Sequence, residues 1–229
     1  PNGHKITIAL EELGLPYEIR QYQRDPKTSL APVALRQVHP LGKSPVITDG
    51  DKMLAESGAI LEYLVETYGN GRFAPRHGTP ERLHYTYFLH YAEGSLMPLL
   101  FMKLVFNRLP ERVPWAMRPV AKMISNGADK ALLGPQITNH FAFLESELNK
   151  REWFAGAELT AADVQLSFPI EAADARVGFA GRLPKLKPSP TYDPRFTLDR
   201  FGVAVACPPD RAQAVSALLS AAGAEEVRR

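Results

Sequence analysis

Two short segments of the chain carry groups that could bind a charged, peptide-like ligand. In the first, Gly42 to Ile47, a Ser-Pro bond leads into a β run that begins at Val46. Proline lacks a backbone N–H, so it leaves an extended backbone edge free to pair with a ligand. In the second segment, Glu56 and Ser57 stand where a helix should begin. The amides and dipole of a helix start favour a carboxylate, and Glu56 could hold an ammonium group.

The turn between these segments should bring them to one spot. Asp49-Gly50 is a signal for a two-residue type I′ hairpin, and the returning strand runs directly into the helix behind Glu56-Ser57. A ligand with an α-amino-acid head and a peptide-like body would satisfy the open edge, the helix start and the acid together. Glutathione is such a ligand.

At these residues the sequence resembles the glutathione S-transferase superfamily, and other segments extend the resemblance. Pro1 to Thr7 and Leu10 to Tyr17 resemble the first helix of bacterial nu-class and fungal-type members. Trp153 to Gly156, with Leu159 to Asp163, resembles the start of the family's sixth helix. The resemblance covers Pro1 to about Leu186, and its motifs occur in the family's order and spacing.

The resemblance implies an α/β domain followed by an all-α domain. We expect a thioredoxin-like, glutathione-binding domain over residues 1–71 and an all-helical domain over residues 79–186. Residues 187–229 form a proline-rich linker and a βαβ-like tail that lies outside the resemblance. The family's first strand is central in its sheet, whereas this sequence begins at the first helix, so we expect that strand to be missing.

Local signals predict where the elements begin and end. Thr79 followed by Pro80 is typical of a helix N-cap. Thr160 and Asp163 have the spacing of a capping box, which gives Asp163 a structural role. The predicted elements are a helix Gly3–Leu13, a strand Tyr17–Tyr22, a hairpin over 46–54, a helix Ser57–Tyr68, a long helix from Thr79 to about Asn107 with a possible kink at Pro98, and a helical region Pro119–Lys150 interrupted near Gly134-Pro135.

The tail contains an apolar segment, Phe201 to Ala206, that suits a strand covered on both faces. One hypothesis is that it fills the vacancy between the Tyr17–Tyr22 and Val46–Thr48 strands. We expect instead that it packs separately or is loosely ordered, because the linker after Leu186 would have to cross the helical domain to reach the sheet.

The resemblance also implies roles for single residues. Asn2 occupies the position from which family members stabilise the glutathione thiolate, and the alternative is that it is only a helix N-cap. Val46 would pair its backbone with the cysteinyl part of glutathione, after a cis Pro45. Glu56 and Ser57 would hold the γ-glutamyl head, and Lys43 could meet the glycyl carboxylate. Capping by Ser57 and a solvated loop charge at Lys43 are the alternatives.

The implied activity is a glutathione-dependent transferase that conjugates an electrophile or reduces a disulfide or peroxide. The alternative is a non-catalytic protein of the same fold that binds glutathione or a partner. The resemblance further implies a homodimer and a small hydrophobic electrophile or disulfide as second substrate. Aromatic and apolar side chains at helical spacing could line its pocket or simply form the core: Tyr85, Phe88, Tyr91, Met97 and Phe101.

Composition narrows the function classes. The net charge is +2, with 27 basic and 25 acidic residues interspersed, so no basic surface for nucleic acid is indicated. No apolar run approaches the ~20 residues of a membrane span, so we expect no membrane partner. A single cysteine, Cys207, excludes an internal disulfide and fits the cytoplasm. The six histidines are scattered, and we expect no metal site.

Overall fold

The computed structural model describes residues 3–23, 25, 28, 30–177, 200–206 and 227–228. The chain divides into two compact units, one made of Pro1–Ala74 with Leu186–Arg229 and the other of Pro75–Lys185. The first unit contains the described strands and the second is helical. An α/β unit and an all-α unit are the predicted fold class, which is confirmed.

The first unit consists of three helices and a sheet within the described residues. The helices are α1 (Gly3–Leu13), α2 (Val33–Val38) and α3 (Ser57–Tyr68). The strands are β1 (Glu18–Gln23), β2 (Val46–Asp49), β3 (Lys52–Ala55), β4 (Arg200–Ala206) and β5 (Val227–Arg228). The predicted bounds of α1 and α3 are confirmed. Gly14 follows α1 with a φ of 69°, the left-handed conformation that favours glycine after a helix.

The strand order of the sheet is β3-β2-β4-β1-β5. Strand β4 therefore occupies the position between β1 and β2. It pairs antiparallel with β1, from Gln23 opposite Arg200 to Glu18 opposite Val205, and parallel with β2. The expectation that the tail strand packs separately is wrong, and the alternative, that it fills the gap, describes the structure. The backbone groups of β1 and β2 would lack hydrogen-bond partners if this position were empty. Pairing with both strands therefore stabilises β4 there.

The two described strands of the tail belong to the sheet of the first unit. Strand β5 pairs antiparallel with the other edge of β1, with Arg228 opposite Ile19. Strands β4 and β5 thus run parallel to each other with β1 between them. The helix predicted over Pro208 to Ala222 lies outside the described residues.

Apolar side chains on the strands and helices of the first unit form its core. Val46, Ile60 and Leu61 are fully buried on β2 and α3. Tyr22 and Leu35 form a smaller buried cluster under α2, against which Ala31 and Val38 pack. The buried ends of β2 and α3 are the parts of the unit that position the candidate site.

The described part of the second unit contains five α-helices. They are α4 (Pro80–Tyr91), α5 (Met97–Arg108), α6 (Arg118–Ala128), α7 (Gly134–Leu148) and α8 (Ala161–Val177). One π-helical turn, Ala92–Leu96, joins α4 to α5, and another, Asp129–Leu133, joins α6 to α7. The predicted long helix thus ends at Arg108, and its irregularity lies mainly before Pro98. The predicted interruption near Gly134-Pro135 is confirmed.

The predicted cap at Thr79 forms, and so does the half of the predicted Thr160 capping box in which Asp163 reaches back to the Thr160 amide. The Thr79 hydroxyl accepts a hydrogen bond from the Arg82 amide at 3.2 Å. At the start of α8, Asp163 accepts from the Thr160 amide and hydroxyl at 2.8 and 2.6 Å. It also accepts from the Phe154 amide at 2.8 Å. Asp163 therefore joins the Trp153–Gly156 turn to the helix, which gives it the predicted structural role.

Within the described part of the chain, no helix is both long enough and apolar enough to span a bilayer.

Candidate functional site

The β2–β3 hairpin brings the two candidate binding segments together. Val46, the first residue of β2, pairs with Ala55, the last residue of β3. Opposed residues of antiparallel strands have Cα atoms about 4.5–5.5 Å apart. Pro45 and Glu56, one residue outside this pair, therefore flank the same end of the hairpin. The Ser44–Pro45 peptide bond is cis, as the resemblance predicted.

The hairpin turn differs from its prediction. The two residues between β2 and β3 are Gly50 and Asp51. Only Gly50 has a positive φ, at 60°. A type I′ turn requires positive φ at both central residues, and a type II′ turn at the first alone. The turn therefore has the φ pattern of type II′, with glycine at the position that needs it.

The backbone of Val46 has neighbours on both sides. Ala55 of β3 is its partner on one side and Val203 of β4 on the other. The predicted open edge at Val46 is therefore covered in this structure. Pro45 is buried next to it and contributes no N–H to either ladder.

Glu56 links β3 to α3 in an uncommon backbone conformation. Its φ and ψ are 72° and 117°. A non-glycine residue at positive φ is uncommon, and such conformations concentrate at functional sites. Its carboxylate is exposed and makes no hydrogen bond that caps the helix. The Glu56 carbonyl instead accepts the Ile60 amide at 2.9 Å, so the backbone begins α3 while the acid faces solvent.

Ser57 begins α3 and is buried, with 4% of its surface exposed. The first amides of an α-helix have no partner within the helix, so the helix start beside Ser57 can attract an anionic group. Glu56 and Ser57 thus offer an exposed acid and a positive helix end at adjacent positions. An amino-acid head, with its ammonium and carboxylate on one carbon, matches this pair.

A hydrogen-bonded cluster fixes the far end of the hairpin to α3. Asp49 accepts a hydrogen bond from the Tyr63 hydroxyl at 2.6 Å and a second from Tyr68. Partial burial opposes ionisation of Asp49, but the two hydroxyls hold the pKa of its carboxyl below the usual value. The sequence analysis missed this cluster. Two tyrosines five residues apart on the helix after the hairpin were its only signal.

Two candidate site residues, Lys43 and Asn2, remain. Lys43 lies exposed on the loop before β2. Asn2, the candidate thiolate-stabilising residue, lies outside the described residues, and its role stays a prediction. The described residues contain no group of three or more His, Cys, Asp and Glu side chains that could hold a metal ion.

Three aromatic residues of α4, Tyr85, Phe88 and Tyr91, belong to the core of the second unit. Tyr85 and Phe88 are 1% and 0% exposed. The Phe88 ring stacks on Phe143 and packs against Phe154 at a centroid distance of 4.9 Å. Tyr91 is buried as well. These three buried side chains, Tyr85, Phe88 and Tyr91, therefore have a packing role. Of the five residues considered for a second-substrate pocket, Phe101 is the exposed one, at 61%.

Comparison with known proteins defines the family. The family model for the glutathione S-transferase N-terminal domain matches residues 1–67, and the model for the C-terminal domain matches residues 109–188. Glutathione S-transferase 3 of Schizosaccharomyces pombe is 36% identical over 169 residues, which cover 74% of this chain and 69% of that protein. The chain belongs to the glutathione S-transferase superfamily.

Further similar proteins are a disulfide-bond oxidoreductase and two glutathione transferases of known structure. The Disulfide-bond oxidoreductase YfcG of Escherichia coli is 31% identical over 172 residues, 72% of either chain. A glutathione S-transferase from Actinobacillus pleuropneumoniae matches with a TM-score of 0.58 and 30% identity, covering 76% of this chain and 74% of that one. A glutathione transferase from Phanerochaete chrysosporium, solved with oxidized glutathione, matches at 0.56 and 29% identity, covering 77% and 76%.

Proposed function

We propose that the chain is a glutathione-dependent transferase that binds its co-substrate where the start of β2 meets the start of α3. Membership of the family and relatives solved with glutathione bound support glutathione as co-substrate. The observation that carries the location is the Val46–Ala55 pair, which places cis-Pro45 and Glu56 at one end of the hairpin.

The charges of this region complement glutathione. The tripeptide carries an ammonium and a carboxylate on its γ-glutamyl head and a second carboxylate on its glycine. The exposed Glu56 pairs with the ammonium, and the start of α3 at Ser57 receives the adjacent carboxylate. Lys43 meets the glycyl carboxylate. The cysteinyl residue then lies at the cis-Pro45 end of β2, between these two anchors.

The chemistry depends on the thiolate. A free thiol has a pKa of about 8.5, so only a few per cent is ionised at neutral pH. An amide donor at Asn2 stabilises the thiolate without accepting its proton, so the proton leaves to solvent. In conjugation the thiolate forms a carbon–sulfur bond and displaces the leaving group with its electron pair. In disulfide reduction, two glutathione molecules become one oxidised glutathione while the substrate gains two thiols.

The test is steady-state turnover with an aryl halide and with hydroxyethyl disulfide. Glu56→Gln keeps the size of the side chain and removes its charge, so we expect kcat/KM to fall with both substrates. Asn2→Ala should lower kcat more than it raises KM for glutathione, because it acts on the thiolate. Tight glutathione binding without turnover of either substrate would favour the non-catalytic alternative.

The proposal extends to assembly and setting. We propose a cytoplasmic homodimer that detoxifies small hydrophobic electrophiles, in keeping with the family and with a chain that has one cysteine. Sedimentation at micromolar concentration should show a dimer. A monomer at every concentration would contradict the dimer and leave the glutathione site untouched.

A further inference from the structure

The β2–β3 hairpin and helix α3 are joined at two places. The first is Glu56, the one residue between the end of β3 and the start of α3. The second is Asp49, which is opposite Lys52 at the turn end of the hairpin. The hydroxyls of Tyr63 and Tyr68, both on α3, donate to Oδ2 of Asp49. The hairpin and the helix therefore form a closed triangle with Glu56 at one corner.

The dimensions of this triangle suit a direct bond between hairpin and helix. Lys52 lies four residues before Glu56, about 13 Å along β3 at the rise of a strand. Tyr63 lies seven residues after Glu56, about 10 Å along α3 at the rise of a helix. Side chains of a helix tilt toward its N-terminus, so the Tyr68 hydroxyl reaches the same oxygen from the last residue of α3. The two tyrosine rings pack edge to face with centroids 6.3 Å apart.

Apolar burial draws the hairpin and α3 together but does not fix the angle between them. Val46 on β2 and Ile60 and Leu61 on α3 are fully buried. The free energy of apolar burial is non-directional, whereas a hydrogen bond weakens steeply when its angle bends. The two bonds to Asp49 therefore set the angle between the hairpin and the helix.

This angle determines the direction of the Glu56 side chain. The backbone of Glu56 has a φ of 72°, and a non-glycine residue keeps such a conformation only where the surrounding structure over-determines it. The hairpin fixes one side of Glu56 and α3 fixes the other, while the bonds to Asp49 fix these two elements to each other. Without those bonds Glu56 can relax toward negative φ, which turns its carboxylate to a different direction.

We propose that Asp49 is a positioning residue for the glutathione site. Through Tyr63 and Tyr68 it holds Glu56 in the conformation that presents the carboxylate to the ammonium of the ligand. This inference rests on the proposed function, since it assumes that Glu56 pairs with that ammonium. Asp49 itself lies at the far end of β2 from Val46, about 10 Å away at the rise of a strand. It therefore acts on binding through Glu56.

Replacing Asp49 with alanine removes the acceptor of both tyrosines. Binding of S-methylglutathione, whose thioether cannot act as the nucleophile, should weaken by about fivefold or more in calorimetry. In the turnover assays KM for glutathione should rise, while kcat at saturating glutathione stays within about twofold of the parent value. Asp49→Asn keeps an oxygen that accepts both hydroxyls, so this variant should bind as the parent does.

A tyrosine variant and a matched control separate positioning from general stability. Tyr63→Phe combined with Tyr68→Phe keeps both rings and removes both donors, so it should reproduce the binding loss even if Asp49→Ala does not fold. The control is Tyr17→Phe, because Tyr17 also donates to an acid of the first unit, Glu11, at 2.5 Å. Tyr17 lies outside the hairpin and α3, so the control should bind S-methylglutathione as the parent does.

A double-mutant cycle decides whether Asp49 acts through Glu56. If it does, Asp49→Ala should not weaken binding further in a protein that already carries Glu56→Ala. An equal loss in both backgrounds overturns the positioning role and leaves the glutathione site standing, as does parental affinity in both Asp49→Ala and the double tyrosine variant. If the parent does not bind S-methylglutathione, the proposed site fails and the role of Asp49 falls with it.

Discussion

The starts of helices α3 and α8 use the same kinds of residues in opposite ways. At α8, Asp163 is 4% exposed and accepts three hydrogen bonds from Thr160 and Phe154. At α3, Glu56 is exposed, and its side chain makes no capping bond. An acid beside a hydroxyl therefore stabilises the fold where its oxygens are used within the chain. It can serve a ligand where they face solvent.

Replacing Asp163 should have the largest effect. Asp163→Ala leaves two buried amides, of Phe154 and Thr160, without their acceptor, and each costs about 1–3 kcal/mol. We expect the free energy of unfolding to fall by about 2–5 kcal/mol in urea titrations, and Asp163→Asn to lose less. Asp51→Ala, at a turn position that is almost fully exposed, is the control. An unchanged urea midpoint for Asp163→Ala would contradict the structural role of this acid.

Lowering the pH should change the stability of the two units in opposite directions. His4 in α1 is 2% exposed, and burial lowers its pKa to about 4, against about 6.5 in the unfolded chain. Between these values the unfolded chain binds more protons, so stability falls as the pH falls from 6.5 to 4, by up to about 3 kcal/mol. Burial of Asp163 raises its pKa, which has the opposite sign.

The measurement is the urea midpoint at a series of pH values, compared with His4→Gln. The variant should lose less stability than the parent between pH 6.5 and 4. His90→Gln, at an exposed position of α4, should follow the parent. Parallel curves for the parent and His4→Gln would show that His4 does not take up a proton on unfolding.

Replacing Glu56 should affect the ligand and not the fold. Glu56→Ala leaves the ammonium of glutathione unpaired, so we expect binding to weaken by about 1–3 kcal/mol in calorimetry. Glu66→Ala, an exposed position of the same helix, should bind as the parent does. If both variants bind equally well, Glu56 is not part of the site.

The smallest expected effect concerns the backbone conformation of Glu56. A φ of 72° is strained for any residue with a Cβ atom. Glu56→Gly should therefore raise the free energy of unfolding by about 0.5–1 kcal/mol, after the entropy that glycine costs, while it weakens glutathione binding. Asn70→Gly, at a φ of 50°, should stabilise less because asparagine tolerates this conformation. If the Glu56→Gly protein is less stable than the parent, the backbone of Glu56 is not strained.

Short-range patterns determined much of this protein. The bounds of α1 and α3, the cap at Thr79, the contact of Asp163 with Thr160 and the hairpin after Pro45 follow from residues a few positions apart. Such signals act within one turn of helix or one pair of strands. They therefore remain readable in the sequence without knowledge of the rest of the chain. The cis Ser44–Pro45 bond was predicted from the family resemblance.

The tertiary structure alone decided which strand lies beside Val46. The apolar run Phe201 to Ala206 indicated a strand covered on both faces, but neither its partners nor its direction are encoded locally. A sheet position is settled by which backbone groups elsewhere need partners. Here these belong to β1 and β2, which lie between 157 residues (Val46 to Val203) and 187 residues (Glu18 to Val205) away along the chain. The positive φ of Glu56 is also set by the tertiary structure, because Glu56 alone joins the last residue of β3 to the first residue of α3.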